Sequence, residues 1–109
     1  MAIDRIHQLM AFLEKDPTDR FTLYSIAYEY LKREKLEEAE NFFKKLKNID
    51  PLYIGLYYHL GKIYQQKEQW DEAISTFEEG IDVANQISDN HALDELKRAI
   101  QQVNDEQLY

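Results

Sequence analysis

Residues 23–51 read LYSIAYEYLKREKLEEAENFFKKLKNIDP, and residues 57–85 read YYHLGKIYQQKEQWDEAISTFEEGIDVAN. Placed one under the other, the two stretches repeat. Ile26-Ala27, Tyr30, Ala39 and Phe43 of the first become Leu60-Gly61, Tyr64, Ala73 and Phe77 of the second. Pro17 and Pro51 keep the same separation as Ala39 and Ala73. A self-similar period of about 34 residues marks a helix-turn-helix solenoid, in which each unit buries its apolar face against its neighbours. The expected fold is all-α, a right-handed stack of helix pairs.

Outward from this core, apolar periodicity predicts six helices. The first spans about Ile3 to Lys15, with Ile3, Ile6, Met10 and Leu13 on one stripe. Asp16-Pro17 ends it, because a residue before proline is pushed out of the α region. Thr18 and Asp19 offer oxygens to the free N–H groups of a second helix, Asp19 to Arg33, whose buried stripe is Leu23, Ile26, Ala27 and Tyr30. The third, Leu36 to Asn48, turns Ala39, Phe42, Phe43 and Leu46 inward. Its acidic residues come early and its basic residues late, as the helix dipole favours. The fourth covers Tyr53 to Gln66, with Tyr57, Leu60, Gly61 and Tyr64 on its stripe. The fifth is expected to start at Asp71 as N-cap and run to Gln86, with Ala73, Phe77, Gly80 and Ile81 apolar. Ser88-Asp89-Asn90 is a turn and cap cluster before the sixth, His91 to Asn104, which carries Leu93, Leu96, Ile100 and Val103. Asp105 to Tyr109 are expected to fray. The single domain 1–109 thus divides into an N-terminal half-repeat helix (1–16), repeat 1 (17–50), repeat 2 (51–86) and a capping helix with its tail (87–109).

Composition narrows the function. The chain has 109 residues, 44% of them hydrophobic and 31% charged, with only 3 Gly and 2 Pro, which suits one helix-rich globular domain. A net charge of −8 argues against nucleic acid and against anionic membranes, since both need Lys and Arg facing phosphate. The same charge would steer a basic peptide, although it more often serves solubility. There are no cysteines, which excludes disulfides, Cys-ligated zinc, iron–sulfur clusters and a thiol nucleophile. The N-terminus has no basic n-region followed by an apolar run, so no signal peptide is expected, and the default location is the cytoplasm. His7, His59 and His91 are too far apart for a helical metal motif. Glu37-Glu38 and Glu78-Glu79 fall on exposed helix faces. No nucleophile with a base, no buried acid/base pair and no Gly-rich phosphate loop is present, so neither an enzyme, a metal nor a cofactor is expected.

At these residues the chain resembles the tetratricopeptide repeat family. Leu23, Ile26-Ala27, Tyr30, Ala39, Phe43 and Pro51 follow the family's order of bulky residue, Leu-Gly-like pair, Tyr, Ala, aromatic and Pro. Tyr57, Leu60-Gly61, Tyr64, Ala73 and Phe77 follow it again, and Trp70 takes the aromatic slot that opens the second helix of the pair. Ala27, Gly61, Ala39 and Ala73 are expected to be small because helix backbones approach there. Glu34 and Glu68 stand where the family often has Gly in the turn, Gly80 where Ala is usual, and Asn85 where a second closing Pro belongs.

The resemblance implies a protein-binding scaffold whose first helices line a concave groove. Residues off the buried stripe would point into it: Phe21, Tyr24, Ser25, Tyr28 and Lys32 in repeat 1, and Tyr58, His59, Lys62 and Gln66 in repeat 2. With two residues inserted after helix five, helix six would add His91, Asp94 and Arg98. Tyr24, Tyr28 and Tyr58 lie outside the repeat pattern. Either they form a binding surface, for which large rigid rings with a hydroxyl are well suited, or they pack on one another to complete a small core. Some relatives grip a chaperone's C-terminal carboxylate with a Lys and an Asn. Tyr24 and Tyr28 occupy those positions here, which disfavours that ligand. The expected partner is a protein or peptide, with a monomeric chain. The alternative is a structural module that self-associates weakly through an exposed end.

Overall fold

The computed structural model describes residues 4–108. Among these, the regular elements are six helices: α1 (Arg5–Lys15), α2 (Arg20–Lys32), α3 (Leu36–Ile49), α4 (Gly55–Gln66), α5 (Trp70–Gln86) and α6 (Asn90–Gln107). They form two compact units, one up to Pro51 and one from Leu52 onward. The first holds α1 to α3 and the second α4 to α6.

The three tight turns are built alike. Glu34, Glu68 and Ser88 have φ of 59°, 59° and 58°, the left-handed conformation that favours glycine. Each is the pivot of a Schellman motif. Lys35 N–H donates to the Tyr30 carbonyl and Glu34 N–H to Leu31; Gln69 donates to Tyr64 and Glu68 to Gln65; Asp89 donates to Ala84 and Ser88 to Asn85. The turn at Ser88 does not follow from the repeat. It joins α5 to α6 as sharply as the paired helices of each repeat, and Asp89 then caps α6 by accepting from Ala92 N–H at 3.0 Å.

In the first unit, Leu23, Ile26, Ala27, Ala39, Phe43 and Leu46 are all buried between α2 and α3. Tyr30 is only half-buried and stacks on Phe42, with ring centroids 5.9 Å apart. Asp19 caps α2 through Thr22 N–H at 2.9 Å, while Thr18 turns back to Asp16. The α1 stripe is rotated from expectation: Ile6 and Leu9 are buried, Met10 and Leu13 are half-buried, and Ile3 lies outside the described residues. That small apolar contact is reinforced by charge. Glu29, 8% exposed, meets Arg5 at 3.1 Å, Lys32 at 2.8 Å and Arg33 at 3.9 Å. Arg33 also donates to both oxygens of Asp4, so the cluster ties the start of α1 to the end of α2.

In the second unit, Leu56, Tyr57, Leu60, Ile63, Ala73 and Phe77 are buried, with Leu96, Ala99 and Val103 from α6. Gly61 is small for a different reason from the one expected. A Cβ there would come within 2.3 Å of the Phe77 ring, so a side chain rather than a backbone fills the space. At Gly80 a Cβ would lie 2.7 Å from Tyr57 Cβ and 2.9 Å from a Leu96 methyl. Asp71 is not the N-cap of α5. The Schellman turn makes Gln69 the cap, without a side-chain bond, and puts Asp71 and Glu72 in the first turn. Frayed residues from Asp105 onward are also not observed, because α6 continues to Gln107; Tyr109 lies outside the described residues.

Candidate functional site

Residues four apart share a helix face, so Tyr24, Tyr28 and Lys32 stand in a column on α2. The rings of Tyr24 and Tyr28 are nearly parallel, 6° apart with centroids 6.3 Å apart. Tyr24 also sets its edge against buried Phe43, at 5.9 Å. Lys32 Nζ lies 5.4 Å from the Tyr28 ring and pairs with Glu29. The inner end of the column is therefore packing, while Tyr28 stays 40% exposed. Phe21, at the start of α2, is 67% exposed. Ser25 does not join them. It is 8% exposed, on the Thr22–Ser25–Glu29 row, whose Glu29 meets Arg5 of α1. Periodicity shows that these residues share a face, but not that another helix covers it.

One repeat later the pattern recurs on α4. Tyr58 stands where Tyr24 does and contacts Phe77 at 6.4 Å, as Tyr24 contacts Phe43. Lys62 lies 5.5 Å from the Tyr58 ring and donates to Gln102 Oε1. His59 packs edge-on against Tyr58 at 5.7 Å. Burial holds its imidazole below the ordinary histidine pKa, and the Glu95 charge pulls weakly the other way. Gln66 is exposed.

Tyr58 and Lys62 form one wall of an open pocket of about 250 Å³, completed by Glu95, Arg98, Ala99 and Gln102 of α6. Of the three α6 residues expected at this face, only Arg98 lines the pocket. His91 is exposed one turn before Glu95, on the same face and 3.9 Å from its carboxylate, and Asp94 is exposed outside the pocket lining. The reason is the rotation of α6. Its deepest stripe is Leu96, Ala99 and Val103, with Leu93 and Ile100 only half-buried, so the residues one step back, Glu95, Arg98 and Gln102, face the pocket. Giving Ala99 the weight of a core residue would have found this register.

The two surfaces offer phenol faces, hydroxyls, ammonium groups over rings and amides. Such groups hold a polypeptide by area and hydrogen bonding. Among the described residues no three His, Asp or Glu are grouped to hold a metal ion, and no helix is long and apolar enough to cross a membrane.

Two family models, both described as tetratricopeptide repeat, match the chain, over residues 22–51 and 56–90. A crystal structure of a tetratricopeptide repeat domain protein from Salinibacter ruber is 40% identical, with a TM-score of 0.75, and the match covers 79% of this chain and 97% of that one. More distant sequences share the fold. The TPR2B domain of yeast Sti1, in a complex with pHsp70, has a TM-score of 0.86 at 13% identity, covering 93% of this chain and 81% of that one. The first such domain of Spaghetti, bound to an HSP90 peptide SRMEEVD, has 0.81 at 15%, covering 95% and 78%. Among curated proteins, none matches the chain significantly.

Proposed function

The chain belongs to the tetratricopeptide repeat family, and on that premise we propose that it binds a peptide or an extended protein segment through the first helices of its repeats. The observation that carries this is the recurrence, at equivalent positions of α2 and α4, of a half-buried tyrosine braced on a buried phenylalanine, Tyr24 on Phe43 and Tyr58 on Phe77. A lysine lies over a tyrosine ring on each helix, Lys32 over Tyr28 and, one turn earlier in the repeat, Lys62 over Tyr58. The repeat pattern does not demand these tyrosines. Their placement leaves ring faces pre-ordered, so little side-chain entropy is lost on binding. Phe21, Tyr24, Tyr28 and Lys32 are the contact residues on α2, and Tyr58, His59, Lys62 and Gln66 those on α4. Ser25 is too buried to contribute a side chain. The Spaghetti domain's complex with an HSP90 peptide, and the Sti1 domain's with pHsp70, support a peptide or protein segment as the class of ligand. Tyr24 and Tyr28 at the carboxylate-gripping positions favour a segment held by aromatic contacts over a chaperone tail. The test is Tyr24→Ala with Tyr28→Ala in a variant verified as folded. Partner affinity falls if these rings bind, and unchanged affinity removes the assignment.

One observation favours a second reading, self-association through an end. The outer face of α1 carries an open pocket of about 490 Å³ lined by Gln8, Ala11, Phe12 and Lys15, with Phe12 63% exposed. Light scattering across a concentration series separates the two. A mass that doubles with concentration supports the end contact, and a constant monomer mass removes it.

A further inference from the structure

On the second unit lies a further open pocket of about 560 Å³, lined by Glu68, Trp70, Glu106 and Gln107. Glu68 sits on the turn between α4 and α5, Trp70 opens α5, and Glu106 and Gln107 end α6. Neither Glu68 nor Glu106 forms an ion pair among the described residues. Among the described residues the Glu106 carboxylate is hydrogen-bonded by a neutral group, the Gln65 amide, which donates to its Oε1 at 2.8 Å. Gln65 is itself 7% exposed, and its own Oε1 has no hydrogen-bond partner. Turning the amide round would only set oxygen against carboxylate. A buried amide with an orphaned oxygen is costly. What it accomplishes is to hold Glu106 in the pocket wall.

The electrostatics all point the same way. Cations normally stabilise the C-terminal turn of a helix, yet the last turn of α6 has no basic residue and carries Asp105 and Glu106. The N-terminus of α5 beside it is already matched by Asp71 and Glu72. Two carboxylates, the negative end of a helix and an indole therefore converge with no cation among them. A guanidinium fits this set. It stacks on an aromatic face, forks its N–H groups to carboxylates and sheds water more readily than an ammonium. The first repeat has no counterpart, because Leu36 stands at the Trp70 position and Leu31 at the Gln65 position.

We infer that the Glu68–Trp70–Glu106 pocket receives an arginine side chain from a basic segment of a partner protein, as a contact separate from the tyrosine surfaces. The net charge of −8 steers such a segment toward the domain. Trp70 is the only tryptophan in the chain, so its emission reports on the pocket directly. The probe is a short blocked peptide with one arginine between glycines, titrated while Trp70 fluorescence is read, beside the same peptide with uncharged citrulline. The expected result is a saturable change with arginine only, weakened about tenfold or more by Glu68→Gln with Glu106→Gln, two charge-assisted contacts being lost. The amide that replaces the Glu106 carboxylate would still accept from Gln65, so the variant should fold, which circular dichroism checks. If it does not, Glu68→Gln alone carries the comparison, with a loss of about threefold or more. Glu78→Gln with Asp82→Asn makes the same change of charge outside the pocket and should leave the response intact. No saturable response, an equal response to citrulline, a smaller loss in the pocket variant, or an equal loss in the control would each overturn the assignment.

Discussion

At the scale of single residues, Gly61 and Gly80 stand inside helices against helix propensity because packing leaves no room for a side chain. On propensity alone, Gly80→Ala should gain about 1 kcal/mol. The contact with Tyr57 Cβ decides otherwise, because that atom is fixed to the α4 backbone and cannot turn away. The expected outcome is a net loss of about 1–3 kcal/mol in urea denaturation, although the family usually has Ala there. Gly61→Ala should lose at least as much, since its Cβ would enter the Phe77 ring. A gain at either position would contradict the packing described. Conversely, Glu34→Gly should stabilise by about 1 kcal/mol by relieving a left-handed side-chain-bearing residue. The left-handed sites at 34 and 68 are legible because the repeat aligns them with a turn. Ser88 is not, since it falls outside the period and nothing local distinguishes it from an ordinary cap cluster.

At the scale of helices, α1 is the element held most by charge. The Arg33 guanidinium lowers the Asp4 carboxyl to about 2. Glu29 is also held below the ordinary carboxylate range, chiefly by its hydrogen bond from Lys32 and then by the charges of Arg5 and Arg33. Both folded values lie below the unfolded ones. The stabilisation is therefore complete above the ordinary carboxylate pKa and is lost as pH falls through the folded values. Amide exchange in α1 should accelerate relative to α2 and α3 as pH drops from about 4 toward 2. Glu29→Gln should remove part of that dependence and cost about 1–2 kcal/mol at neutral pH, leaving three cations around a neutral amide. Equal protection of α1 in both proteins would dismiss the cluster as a tether. The sequence could not show it, because the two pairs that join α1 to α2 bridge residues 24 and 29 positions apart and period analysis registers only shared faces. The same blindness left Ser25 on the open side and rotated α6. Apolar spacing ranks Leu93 and Ile100 above Ala99, yet the small residue is the one packed deeper.

At the scale of the whole chain, repetition makes the architecture legible. The helices α2 to α5 follow from the period, α1 and α6 from apolar spacing alone, and the family membership agrees with the repeat. The candidate site is legible only on the first helices of the repeats, where the spacing puts Tyr24 and Tyr28, and Tyr58 and Lys62, on one face. Glu95, Gln102 and the Trp70 pocket depend on α6, which lies outside the period. Light scattering is expected to give a monomer mass at all concentrations, with a concentration-dependent dimer implicating the exposed Phe12 end. The most direct test of the binding function is a parallel pull-down from native lysate with the wild-type chain and a folded Tyr24→Ala/Tyr28→Ala/Lys62→Ala variant, with bound proteins identified by mass spectrometry. A specific partner retained by the wild type and lost by the variant is the predicted result. The same specific partners on both would contradict it and move the binding surface away from α2 and α4.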